Sequence, residues 1–175
     1  MSFNLIVSTY RHREVDAQNE LHCILKMFGD QSPISQLTNV SGLLTARTNL
    51  DPFQAVKRVK GLIHDEPWSI RFILRMIPIE ISFFSVGVDT IREAAIRLSS
   101  KMQASDTFRI TVERRATAIT STELISNIGS GFNNTVNLEN PHWTVLVEII
   151  GKIGGISIVR PYDIFSAIRE SRIEV

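Results

Sequence analysis

Arginine supplies most of the chain's positive charge, 14 residues against 5 lysines, and its planar guanidinium suits bidentate contact with phosphate oxygens and stacking on bases. Between positions 97 and 115 the cations Arg97, Lys101, Arg109, Arg114 and Arg115 face only Asp106 and Glu113. Arg109, Arg114 and Arg115 belong to the alternating run Phe108-Arg109-Ile110-Thr111-Val112-Glu113-Arg114-Arg115. Lys152 lies in the glycine-rich Gly151-Lys152-Ile153-Gly154-Gly155, and Arg160 closes Gly155-Ile156-Ser157-Ile158-Val159-Arg160-Pro161. If these segments are strands of one sheet, some of their ends converge at one edge, where the cations could hold phosphate. The alternative is a set of solvated arginines paired with Glu113, Glu148 and Asp163. As exposed residues, Arg114 and Arg115 should be replaceable together with little loss of stability.

Catalytic chemistry finds no comparable set. Gly129-Ser130-Gly131 has too few glycines for a dinucleotide turn, and Gly151-Lys152 lacks the Ser or Thr that follows a P-loop lysine. His12, His22, His64 and His142 lack metal-ligand spacing, and no carboxylate pair is placed for acid–base work. Cys23 stands alone, which rules out an intramolecular disulfide and a cysteine-cluster zinc site. On a helix its side chain diverges from that of His22 by about 100°, so a buried thiol is expected rather than a nucleophile. No catalytic residue, metal or cofactor is expected. Trp68 follows Pro67 and Trp143 stands two residues after Pro141, near expected strand starts where a tryptophan either anchors a core or stacks on a base.

The elements that must position these residues follow from periodicity. Phe3, Leu5 and Val7 alternate as in a half-buried strand. Val15, Leu21, Ile24, Leu25 and Phe28 recur at helical intervals up to Gly29. Gln36 to Val40 reads as a weak strand and Gly42 to Thr48 as a stronger one. Asp51-Pro52 reads as a cap with proline at the first helical position, opening a helix to about His64. Ile70 to Ile77 returns to strand, with Phe72, Leu74 and Met76 on one face. This β-α-β-β-α-β order predicts a ferredoxin-like lobe.

Ile81 to Val86 then leads through Gly87 into a second α/β unit. Its helical stripe is Ile91, Ala95, Leu98 and Met102, with Arg97 and Lys101 one turn apart on another face. Phe108, Ile110 and Val112 form a buried strand face, turning Arg109, Thr111 and Glu113 the other way. Thr120 and Glu123 have capping-box spacing before an apolar helix. Strands Val145 to Ile150 and Ile156 to Val159 flank the glycine-rich connection, and a helix from Tyr162 to about Arg172 closes the chain.

At 175 residues and 43% hydrophobic composition the chain can bury a core. The apolar run from Ile77 to Val88 is interrupted well before the roughly 20 residues of a membrane span, so no membrane association is expected. The N-terminus lacks the basic region and cleavage site of a signal peptide, which points to the cytoplasm. A net charge of +1 excludes a polybasic nucleic-acid binder and requires any RNA affinity to come from local placement of charge.

The run from Phe108 to Arg115, Leu138-Glu139-Asn140-Pro141-His142-Trp143 leading into Thr144 to Ile149, and Gly155 to Pro161 together resemble the THUMP domain, over about Val88 to Pro161. The preceding stretch looks like the N-terminal half of stand-alone THUMP proteins. The resemblance implies an α+β fold, with an N-terminal ferredoxin-like lobe over residues 1–86 packed on a THUMP lobe over 87–175. It also implies an RNA-binding module that engages the acceptor stem and 3′ CCA end of tRNA and positions a distant nucleotide for another domain. By motif, Arg109, Arg114, Arg115 and Arg160 are the RNA contacts, with Arg97, Lys101 and Lys152 as neighbours, and Asn140-Pro141 sets a turn. No catalytic domain of the thiolating or methylating THUMP enzymes is recognised here. The chain is similar instead to relatives of the adaptor for tRNA cytidine acetylation, which implies a non-enzyme whose partner is an RNA cytidine acetyltransferase. The alternatives are an RNA-binding subunit or remnant of a tRNA thiolation or methylation enzyme, and an unrelated small-ligand α/β protein.

Overall fold

The computed structural model describes residues 2–171. The chain forms two compact units, one of Ser2–Ile79 with the segment from Tyr162 on, the other of Glu80–Pro161. In the first unit, strand β1 (Leu5–Ser8) is followed by helix α1 (Glu14–Met27), strands β2 (Ile34–Leu37) and β3 (Leu43–Arg47), helix α2 (Pro52–Asp65) and strand β4 (Arg75–Pro78). β1 pairs antiparallel with both β3 and β4, and β2 pairs antiparallel with β3. Leu5 and Val7 of β1 share a core with Leu21 and Leu25 of α1 and with Ala55, Val56 and Val59 of α2, so both helices cover one sheet face. This is the expected ferredoxin-like arrangement. Asp51 Oδ1 caps α2 by accepting from Gln54 N at 2.9 Å, with Pro52 inside the first turn.

In the second unit, strand β5 (Ile81–Phe83) leads to helix α3 (Val88–Leu98), strand β6 (Thr107–Arg115), helix α4 (Ser121–Gly129), the two-residue strand β7 (Thr135–Val136), and strands β8 (Trp143–Ile150) and β9 (Ile153–Val159). The sheet order is β5-β9-β8-β6-β7. β6 runs parallel to both β8 and β7, while β8–β9 and β9–β5 are antiparallel. Ile91 and Ala95 of α3, Leu124 and Ile128 of α4, and Phe108, Val145, Val147, Ile149, Ile156 and Ile158 of the sheet make one core. Thr120 Oγ1 accepts from Glu123 N at 3.2 Å and caps α4 as its spacing predicts.

Several expectations are corrected. The closing helix expected from Tyr162 is instead a two-residue strand, β10 (Phe165–Ser166), followed by the single turn α5 (Ala167–Glu170); Arg172 lies outside the described residues. β10 pairs with β4 and buries Phe165 completely in the first unit's core. The division expected after Val86 therefore falls after Ile79, and the last segment belongs with the first unit rather than with residues 87–161. Burial of a phenylalanine, not helical spacing, decides its place.

The strand expected over Ile70–Ile77 begins only at Arg75, because Glu20 of α1 holds the preceding turn. Its carboxylate accepts from the amides of Arg71, Phe72 and Ile73 at 2.7, 3.0 and 2.8 Å, and Ile73 is buried beside Met76. The weak strand expected at Gln36–Val40 starts two residues earlier and ends at Leu37. Cys23 is exposed, not buried, since turning Leu21, Ile24 and Leu25 inward carries position 23 to the other side of α1.

Candidate nucleic-acid interface

The second unit's sheet separates the expected RNA-binding cations rather than gathering them. At the end where β6 stops and β8 turns into β9, Gly151 N donates to Arg115 O at 2.8 Å, so the turn abuts the strand end. The connection is only two residues long, with Gly151 at φ +62, a left-handed conformation that glycine adopts without penalty. Gly154 and Gly155, expected in the connection, lie in β9. Arg114, Arg115 and Lys152 therefore share this end.

Neighbouring residues of a strand point to opposite faces, and this divides Arg114 from Arg115. Arg114 follows Phe108, Ile110 and Val112 in phase and is exposed. Arg115 follows Glu113, which stands opposite Glu148 in the parallel register. Arg115 Nη1 meets Glu148 Oε2 at 3.0 Å and its Nη2 lies 3.7 Å from Glu113 Oε2. Glu148 is 1% exposed, so the Arg115 charge serves a buried carboxylate. Lys152 is exposed in the turn. Among the described residues neither Arg114 nor Lys152 has an ion pair.

The opposite end of the sheet is built around Trp143, the first residue of β8. Its Nε1 donates to Asp106 Oδ2 at 2.9 Å, and the Arg160 guanidinium carbon lies 4.3 Å from its ring centroid. Lys101 Nζ is 5.7 Å from the same centroid and donates to Glu80 Oε1 at 3.0 Å and Ile158 O at 2.8 Å. The Gln103 amide and the Trp143 indole hold the Asp106 carboxyl below its usual range, against a smaller opposing effect of burial. Trp143 is thus a half-buried anchor packed on the core, and Arg160 and Lys101 are engaged there.

Arg97 and Lys101 do not share a helix face, since α3 ends at Leu98 and Lys101 belongs to the following 3-10 turn. Arg97 is exposed beside an open hollow of about 360 Å³ lined by Ile81, Phe83, Thr90 and Glu93. Arg109 stands opposite Thr144 in mid-sheet, half-buried, and its Nε lacks a hydrogen-bond partner among the described residues. Sequence reasoning named Glu148 among the partners of solvated arginines but missed that it is buried where Arg115 engages it. Its signal is a carboxylate in phase with the apolar Leu146 and Ile150. Of the two roles open to Trp68 in the sequence, that of core anchor is excluded, since Trp68 is 67% exposed.

Among the described residues no group of three or more His, Cys, Asp or Glu side chains is placed to hold a metal ion, and no helix is long and apolar enough to cross a membrane. The chemistry open to this surface is contact with phosphate by exposed cations.

No curated protein matches the chain by sequence. The fold is similar to PH1313 from Pyrococcus horikoshii Ot3, with a TM-score of 0.68 at 16% identity, over 90% of this chain and 54% of that one. It is also similar to TrmN from Thermus thermophilus, with a TM-score of 0.64 at 15% identity, over 92% and 47% of the two chains. A 4-thiouridine synthetase solved as an RNA complex with bound ATP matches with a TM-score of 0.57 at 13% identity, over 94% and 42%. The chain thus spans about half the length of the first two structures it matches. Residues 87–159 match the family model of the THUMP domain. The stretch that carries α3, β6, α4, β8 and β9 is a THUMP domain.

Proposed function

We propose that this protein binds tRNA at its acceptor end, the single-stranded 3′ CCA included, and acts in the cytoplasm as a non-catalytic adaptor for an RNA cytidine acetyltransferase that forms 4-acetylcytidine. The observation that carries the reading is the THUMP domain over residues 87–159, an RNA-binding module. Arg114 and Lys152, exposed at one end of its sheet, supply contacts to phosphate, as a near-zero net charge requires affinity to come from local placement of charge. The adaptor contributes by positioning a nucleotide rather than by chemistry.

The test is binding of the full chain to intact tRNA and to tRNA trimmed of its 3′ CCA, followed by acetylation assays with the acetyltransferase. Preference for the intact end and stimulation of acetylation are expected. Absence of tRNA binding at low salt would sink the RNA reading, and equal binding of both tRNAs would sink acceptor-end recognition. A second reading, an RNA-binding part of a tRNA methylation or thiolation enzyme, is favoured by the likeness to TrmN and to the 4-thiouridine synthetase over nearly all of this chain. Binding without stimulation of the acetyltransferase would support it.

A further inference from the structure

The first unit carries an exposed aromatic and cationic surface that the THUMP domain does not account for. In the loop between β1 and α1, Tyr10 is 54% exposed and Arg11 is exposed. In the turn before β4, Trp68 is 67% exposed and Arg71 is exposed. These two segments are fastened side by side. Leu74 N donates to Ser8 O at 2.9 Å, and the Arg13 guanidinium carbon lies 6.0 Å from the Phe72 ring centroid.

The Trp68 segment is also held from beneath and along its own length. The Glu20 carboxylate receives the three successive amides of Arg71, Phe72 and Ile73, and Arg71 Nε donates to Trp68 O at 3.4 Å. Of the acids around it, Glu20 is engaged by those amides and Asp16 by Arg13 at 3.1 Å, while Asp65 and Glu66 before Trp68 are exposed. Arg11 and Arg71 have no ion pair among the described residues.

We propose that this surface binds single-stranded RNA, with bases stacking on Trp68 and Tyr10 and phosphates meeting Arg11 and Arg71. The inference rests on RNA being the chain's ligand and places a contact outside the THUMP domain. Rigid aromatic faces interleaved with arginines suit a strand whose every repeat offers a planar base and an anionic phosphate. An acidic peptide would satisfy the arginines but leave the indole without a planar partner.

The experiment titrates the full chain with a single-stranded oligoribonucleotide of about ten nucleotides, near the site size of single-strand binders, following tryptophan emission and affinity. Emission of the unmodified protein should be quenched. Trp68→Ala should abolish that quenching and weaken binding roughly tenfold, the loss expected for one base stack, while Trp68→Phe keeps most of the affinity. Arg71→Ala should lower the slope of log affinity against log salt by about one contact. Full quenching or unchanged affinity in Trp68→Ala overturns the proposal, as does equal competition by polyglutamate of the same length. If the Arg114→Ala, Lys152→Ala protein loses affinity while Trp68→Ala does not, this inference fails and the THUMP reading stands. The reverse pattern retains this surface and removes the site at the sheet end. Thermal melting followed by circular dichroism confirms that each variant is folded.

Discussion

Glu148 is buried and its Oε2 accepts from Arg115 at 3.0 Å, so truncating the arginine strands a charge away from water. Arg115→Ala should cost about 2–4 kcal/mol, somewhat under the usual penalty for breaking a buried pair because the arginine is partly solvated. Arg114→Ala should stay within about 0.5 kcal/mol. Urea denaturation of the two variants measures the contrast, which corrects the expectation that both arginines are dispensable. Phe108 is 1% exposed and stacks on Phe132 with ring centroids 4.7 Å apart, so Phe108→Ala should cost about 3–5 kcal/mol. The burial of Phe108 was legible from alternation alone. The duty of Arg115 was not, because it depends on β6 and β8 lying parallel in a register that sets Glu113 against Glu148.

At the scale of elements, Glu14 fastens the start of α1 to the turn before β3. Its Oε1 accepts from Gly42 N at 2.6 Å and from Ser41 Oγ at 3.0 Å. The Gly42 amide is the chief cause that holds its pKa at about 2 instead of the ordinary 4.5. A depressed carboxylate stabilises the fold fully above its unfolded pKa and loses that contribution as pH falls through the folded one. The loss should therefore run from about pH 4.5 down to about 2. Glu14→Gln should melt below the unmodified protein at pH 7, and the difference should close toward pH 2. Thermal melts across this range check it.

Strand packing gives a second element-scale prediction. A Cβ added at Gly154 of β9 would lie 2.8 Å from the backbone oxygen of Glu148 in β8. Gly154→Ala should thus destabilise the hairpin by about 1–3 kcal/mol, measurable by denaturation. Helix starts were readable where a side chain caps its own turn, as at Asp51 and Thr120. The segment before β4 was not readable, because a carboxylate some fifty positions away in sequence dictates its backbone. β10 is too short to carry a period, and only the cavity that Phe165 fills reveals it.

For the whole molecule, binding to tRNA should weaken with salt, since each phosphate contact releases condensed counterions. With Arg114 and Lys152 at the sheet end and Arg11 and Arg71 in the first unit, the slope of log affinity against log salt should be roughly −3 to −4, and about half that for the Arg114→Ala, Lys152→Ala protein. Incubated alone with tRNA and acetyl-CoA, ATP or S-adenosylmethionine, the chain should modify no nucleotide. Mass spectrometry of the digested tRNA reads that outcome.

The return of the chain to the first unit through β10 has a consequence for synthesis. A ribosome releases β1 to β4 first, then all of Glu80–Pro161, and only afterwards the strand that carries Phe165. Until then the nascent first unit has an unpaired edge at β4 and an unfilled place in its core, whereas the intervening unit has every strand it needs. The domain encoded in the middle can complete its folding before the one that begins the chain.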